Sequence, residues 1–182
     1  MSATDNQPSN KNFLSPFGYK FSIKKTPNMN WFIQAVSMPS VSLARTDVSN
    51  PFVVFPVGGD HLRFDNLSIT FRVDEDLANY REIYNWLTAI GFPDTFDQYK
   101  DLANKTFGGN SGNALPGSGN ALYSDATLIL LTSAMNPNLE VTFIDLFPIG
   151  LSALQFDSRL TDMQYVEATA TFACRKFNIN ML

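Results

Sequence analysis

The chain has 182 residues and a formal net charge of −4, with 45% hydrophobic, 13% aromatic and 16% charged side chains. The length suits one domain with a sizeable core, and the acidic balance argues against a dedicated nucleic-acid binder, which carries a basic patch. Its one cysteine, Cys174, excludes an internal disulfide.

The segment from Met1 to Lys11 is polar, with no apolar stretch of the kind a secretory signal needs. No run approaches the apolar length of a membrane helix. A soluble protein without a membrane anchor, made in a cytoplasm, is expected. Sixteen phenylalanines favour strands, because aromatic side chains pack well on a pleated surface. Soluble domains usually carry about a quarter charged residues, so a chain this sparing with charge is expected to hide surface against partners.

Residues 1–15, rich in Ser, Asn, Asp and Pro, read as a flexible arm ahead of a single domain at 16–182. Residues 19–25 alternate apolar with polar and predict a half-buried strand. Residues 26–30 predict a turn, and 31–36 a second strand pairing with the first as a hairpin. Pro39 ends it, and residues 41–43 add a short extended piece. From 44 to 59 the chain reads as irregular, with Pro51, Pro56, Gly58 and Gly59 around the apolar run Phe52-Val53-Val54-Phe55. An apolar loop on a low-charge protein predicts a contact site, so these four residues are the candidate assembly interface.

Residues 62–73 form the longest strand candidate. Leu67, Ile69, Phe71 and Val73 share one face, and Leu62 and Phe64 fall out of phase with them, which predicts a bulge or kink at Asp65-Asn66. Asp74 is the expected N-cap of a helix at about 75–90, with Glu75 and Asp76 favouring the positive end of its dipole. Leu77, Tyr80, Ile83, Tyr84, Leu87 and Ile90 form its apolar stripe, and Gly91 and Pro93 close it. A short helix is expected near 97–104, followed by a flexible Gly/Asn-rich loop at 108–120. Strands follow at 124–132, 139–147 and 163–177. The fold class is therefore α+β, mostly β: an antiparallel sandwich or barrel with one flanking helix.

No catalytic pattern accompanies these elements. Asp74, Glu75 and Asp76 are consecutive at a helix start and point in different directions, which suits capping and not metal binding. His61 is the only histidine, so zinc-ligand spacing is absent, and no Gly-x-Ser-x-Gly elbow supplies a serine for it to activate. Gly117-Ser118-Gly119 is followed by no Gly-Lys-Ser/Thr, so it is not a phosphate loop. Cys174 reads as a buried structural residue. No enzyme, metal or cofactor is expected.

The run from Phe64 through Asp74-Glu75-Asp76 to Leu87 resembles a segment of the tail tube proteins of T4-like contractile-tail phages, above all the tail completion (tube terminator) type. Gln34-Ala35-Val36-Ser37-Met38-Pro39-Ser40-Val41 is similar to that family's V-x-L-P-G-V turn, and Leu154-Gln155-Phe156-Asp157 to its late L-x-F-D element. The resemblance touches residues 19–177 and is concentrated at 60–92. It implies a tail-tube-type β-sandwich or barrel whose six copies form a ring around a channel that DNA traverses. The implied partners are further copies of the chain and the tail tube, sheath and neck proteins. The implied location is the virion, after assembly in a host cytoplasm. Within that class the alternatives are the repeating tube subunit and a baseplate tube-initiating ring. A carbohydrate- or receptor-binding module, using Trp31 or Trp86 as a platform, is the reading from another class.

Overall fold

The computed structural model describes residues 11–91, 96–97, 122–159 and 165–182. Residues 1–10 of the expected arm, the loop at 108–120, nearly all of the helix expected at 97–104 and the start of the last strand lie outside them. Nine strands and two helices occur among the described residues. They are β1 (Tyr19–Ile23), α1 (Pro27–Asn30), β2 (Ile33–Ser37), β3 (Val41–Ser49), β4 (Val54–Phe64), β5 (Leu67–Arg72), α2 (Ala78–Gly91), β6 (Ser124–Leu131), β7 (Pro137–Leu151), β8 (Glu167–Ala173) and β9 (Lys176–Met181). All pairings are antiparallel. The fold is mostly β, as the sequence implies.

Seven strands form one sheet in the order β1-β6-β7-β8-β5-β2, with β9 alongside β7. The sheet folds at β7. Residues 139–144 of β7 pair with β9, and β6 lies along their other edge. Residues 147–151 pair with β8. Between them Asp145 has φ 55°, the left-handed region in which Asp is among the few tolerated side chains. The β8–β9 passage breaks at the same level, where the Arg175 N–H donates to the Ile144 carbonyl (3.1 Å) and the Arg175 side chain meets Asp145 at 3.0 Å. One corner thus turns both strands from one leaf of the sheet into the other, and the strand expected at 163–177 is split in two by it.

The inward faces follow a period of two. Phe21 and Ile23 of β1 lie opposite Leu128 and Ala126 of β6, which continue to Val141 and Phe143 of β7. In the other leaf Ile69 and Phe71 of β5 lie opposite Ala170 and Ala168 of β8, large beside small. These side chains are at most 7% exposed and form one contiguous core with Met29 of α1 and Ile83, Trp86 and Ala89 of α2. Each large one contributes about 1.5–3 kcal/mol on burial. Trp86 packs on Phe172 with ring centroids 6.1 Å apart, and its indole N–H donates to the Leu122 carbonyl (2.9 Å). A platform role for Trp86 is thereby excluded.

Four local expectations are corrected. Residues 27–30 make one turn of helix, held to α2 by Asn28 Nδ2 donating to Glu82 Oε1 (2.8 Å). β1 and β2 are not hairpin partners: β1 pairs with β6 and β2 with β5, because each finds its apolar match far along the chain. The helix begins at Ala78, and Asp74 is not its N-cap. Asp74 instead opens a turn, its carbonyl accepting the Leu77 N–H (3.1 Å), while the Leu77 carbonyl accepts the Arg81 N–H (2.9 Å) at the helix start. Finally, the buried stripe of α2 is Asn79, Ile83, Trp86 and Ala89, which leaves Tyr84 exposed. Asn79 sets that rotation: its amide donates to the Arg72 carbonyl (2.8 Å) and accepts the Asp74 N–H (3.4 Å), tying the helix start to the end of β5.

Because Asp145 occupies the left-handed region, Asp145→Gly should preserve the corner. Asp145→Val should destabilise the fold by roughly 1–3 kcal/mol, the cost of a branched side chain at that backbone geometry. Urea unfolding of the two variants measures the difference; equal midpoints would remove the corner's special status.

Candidate assembly interface

The residues from Ala44 to Gly59 are not an irregular loop. β3 and β4 form a separate two-stranded sheet, an arm that projects from the body. The arm continues the β2–β5 pair. Ser37 faces Ser68 and Val41 faces Phe64, so one register runs through the interruption at Met38–Ser40 and Asp65–Asn66. The interruption is tied by the Asp65 N–H donating to the Ser40 carbonyl (3.0 Å) and by the Ser40 hydroxyl on the Asp65 carboxylate. At the root Phe64 stacks edge-on against Phe177 of β9, centroids 5.4 Å apart. The kink expected at Asp65-Asn66 is therefore where the chain leaves the body.

Every residue of β3 is exposed, and β4 is nearly as open. The pairing of Val48 with Phe55 and of Thr46 with Val57 puts Val48, Phe55 and Val57 on one face. Each is about half exposed. The other face carries Arg45, Asp47, Pro56 and Val54. A bulge between Leu43 and Arg45 re-aims the outer half, and Gly59 sits there 2.6 Å (from an added Cβ) from the Ala44 carbonyl, so only glycine fits. At the tip Asn50 Oδ1 accepts the Phe52 and Val53 N–H groups (2.8 and 3.0 Å), and the Asn50 N–H donates to the Val53 carbonyl (3.1 Å). That turn holds the Phe52 ring 95% exposed. Of the candidate residues, Phe52 and Val53 are therefore at the tip, and Phe55 and Val54 on opposite faces. What sequence reasoning missed is that the exposed surface extends back along both strands.

The second exposed apolar feature is a groove of about 750 Å³ at the far end of the β2–β5 pair, lined by Trp31, Phe32, Leu77, Leu154, Phe156 and Tyr165 with Gln34, Arg72, Asp74 and Glu75. Trp31 is 88% exposed and Phe156 77%. The Arg72 guanidinium lies 4.7 Å over the Tyr165 ring. Asp74 Oδ1 is buried in the wall and, among the described residues, has no hydrogen-bond partner.

Little here suits catalysis. His61 is on the arm, 90% exposed, with Asp60 3.9 Å away. Among the described residues no three His, Cys, Asp or Glu side chains gather to hold a metal. The shifted ionisations have structural causes: burial lowers Lys25, 5.0 Å over Trp86, to about 8, and burial raises Glu82 beside α1 and Cys174 at the β8 end. None of these three lines the groove.

No family model matches the sequence, and no curated protein matches it. Solved structures do. A chain of the anti-feeding prophage tube-terminating cap aligns over all of both chains, with a TM-score of 0.59 at 11% identity. One from the sheath–tube complex of the PVC extracellular contractile injection system, in the extended state, aligns over 100% of this chain and 99% of that one (TM-score 0.57, 11% identity). One from the sheath/tube terminator of the same system covers 93% and 98% (TM-score 0.55, 12% identity). The chain has the fold seen in these tube and cap assemblies of contractile injection systems. At such low identity the likeness is one of fold.

Because Val54 is more than half exposed on an arm that, among the described residues, stacks on the body at its root, Val54→Asp should change the unfolding free energy by less than about 0.5 kcal/mol. Phe64→Ala, at the root stack, should cost more. Denaturant midpoints of the two variants check this, and a large loss for Val54→Asp would mean that the arm packs on its own body.

Proposed function

We propose that the chain is a structural subunit of a contractile phage tail, forming a hexameric ring that terminates the tail tube and joins it to the neck around a channel for DNA. The observation that carries this reading is the uncovered arm. A two-stranded hairpin is marginal by itself in water, and this one presents Val48, Phe55 and Val57 along a single face, each about half exposed. Such a face is stabilised when a second subunit covers it. Closing copies into a ring also covers β1 and β2, the edge strands of the sheet among the described residues, which otherwise invite unselective strand pairing.

The fold likeness to tube-terminating caps, extending over the full chain, supports the same role. Tube and sheath proteins are then the neighbours of the ring, in a virion assembled in the host cytoplasm. An overall charge of −4 suits a channel that a phosphate backbone slides through without being held. The repeating tube subunit and a baseplate tube ring are variants of this reading. The exposed Trp31 beside Tyr165 favours, as a second reading, a carbohydrate- or receptor-binding module, since stacked aromatic faces are what a sugar ring needs.

Negative-stain electron microscopy of the purified protein should show discrete rings; long tubes would indicate the repeating subunit. Phe55→Asp should abolish either assembly and leave a folded monomer. A wild-type protein that stays monomeric at every concentration would sink the tail reading and favour the binding module.

A further inference from the structure

We propose that Asn30 and Tyr19 block the open edges of β1 and β2, so that a lone chain adds no further strand at β1 until both side chains move away. This blocking is a property of the lone chain, whatever that chain assembles with. Among the described residues β1 ends the strand order on one side and β2 on the other. The Gly18 carbonyl accepts the Leu131 N–H (2.8 Å), and the Lys24 N–H donates to the Asp125 carbonyl (3.4 Å). Even-numbered residues of this stretch thus turn their main-chain groups to β6, and those of Tyr19, Phe21 and Ile23 face away from it along the edge. Tyr-Lys-Phe-Ser-Ile is rich in aromatic and β-branched side chains, the kind of segment that recruits further strands.

Asn30 meets that edge at Ile23. Its Oδ1 accepts the Ile23 N–H (2.9 Å), and its Nδ2 donates to the Ile23 carbonyl (3.0 Å). A carboxamide offers the same acceptor and donor as a peptide unit. Exchange of both bonds with one residue is what a hydrogen-bonded pair of an antiparallel ladder does. Asn30 therefore stands where a residue of an added strand would stand. α1 fixes it there, because Met29 beside it is fully buried and Asn28 is tied to Glu82 of α2.

Tyr19 acts at the other end of β1. Its hydroxyl donates to the Gln34 carbonyl (2.7 Å), a main-chain group of β2 at the point where β2 slips register against β5. The Tyr19 side chain thus spans from one edge strand to the other, and a strand laid along β1 would enter the space it bridges. Between them the two side chains use up main-chain groups on both edges and close the approach to β1. As mere clamps of the fold they would add stability and nothing more. The two roles differ in what is exposed when the contacts are lost.

In the double variant Asn30→Ala/Tyr19→Phe the Ile23 amide should exchange hydrogen at least about tenfold faster than in the wild type, the effect of losing its hydrogen-bond partner. Kept at a temperature where circular dichroism shows it folded, this variant should form thioflavin-binding β-aggregates while the wild type does not. Adding Ser22→Lys, a charge on the exposed face of β1, should suppress them without restoring either hydrogen bond. Asn28→Ala, which loosens α1 from α2 and leaves the Ile23 pair in place, should stay in solution. A folded double variant that stays in solution overturns the proposal. So do aggregates that Ser22→Lys leaves unchanged, or equal aggregation by Asn28→Ala, because the two contacts are then clamps only. If the double variant does not fold, Tyr19→Phe decides alone: it loses only the hydroxyl, and its failure to aggregate, or to respond to Ser22→Lys, overturns the proposal.

Discussion

The fifteen residues of β7 hydrogen-bond to β6 and β9 along their first part and to β8 along their last, so the strand must bend between them without losing either ladder. Asp145 provides the bend by taking a left-handed conformation, and the chain break at Arg175 follows it in the neighbouring strand. The ion pair between the two is more than a third exposed on both sides and contributes little by itself. What matters is the change of direction. Without it the apolar faces of β1, β6 and β7 and those of β5 and β8 would point the same way from one open sheet. With it they close on a shared core that α2 completes through Trp86.

A closed body then has a consequence at its margin. The β2–β5 pair is long enough to outrun the core, and past Pro39 and Asp65 its register continues in two exposed strands. Inside the body, alternate residues are stabilised by burial. Along the arm the same alternation of Val48, Phe55 and Val57 meets water. The arm and the aromatic groove at the opposite end are thus products of one continuous ladder, and its two ends carry exposed apolar surfaces.

Much of this was legible. The alternation at 19–23, 67–72, 124–131 and 139–147 marks strands because burial on one face leaves a period of two in the residues themselves. The apolar run at Phe52–Phe55 was recognisable as exposed, because such residues bracketed by prolines have no place in a core. The arm around it was not. Pro51, Pro56, Gly58 and Gly59 are loop signals, and they are tolerated in β4 because it lies outside the core and bulges at Gly59. The helix was visible, yet its start was misplaced, since Asp74 has the chemistry of a cap and is used for a turn. Asn79 is not part of the apolar stripe read from the sequence, yet it is buried, because its amide satisfies the end of β5.

By itself, then, the sequence determined which segments are extended, that α2 follows β5, and that an apolar patch stays exposed. Each of these is written in neighbouring residues. Only the tertiary structure decided that β1 pairs with β6 and β2 with β5, that β7 bends at Asp145, and that Trp31, Phe156 and Tyr165 meet in one groove. Those outcomes join residues far apart in the chain, and an alternating strand carries no mark of its partner. Nor does its pattern say whether the apolar face meets the chain's own core or another molecule's surface; that depends on where the core ends.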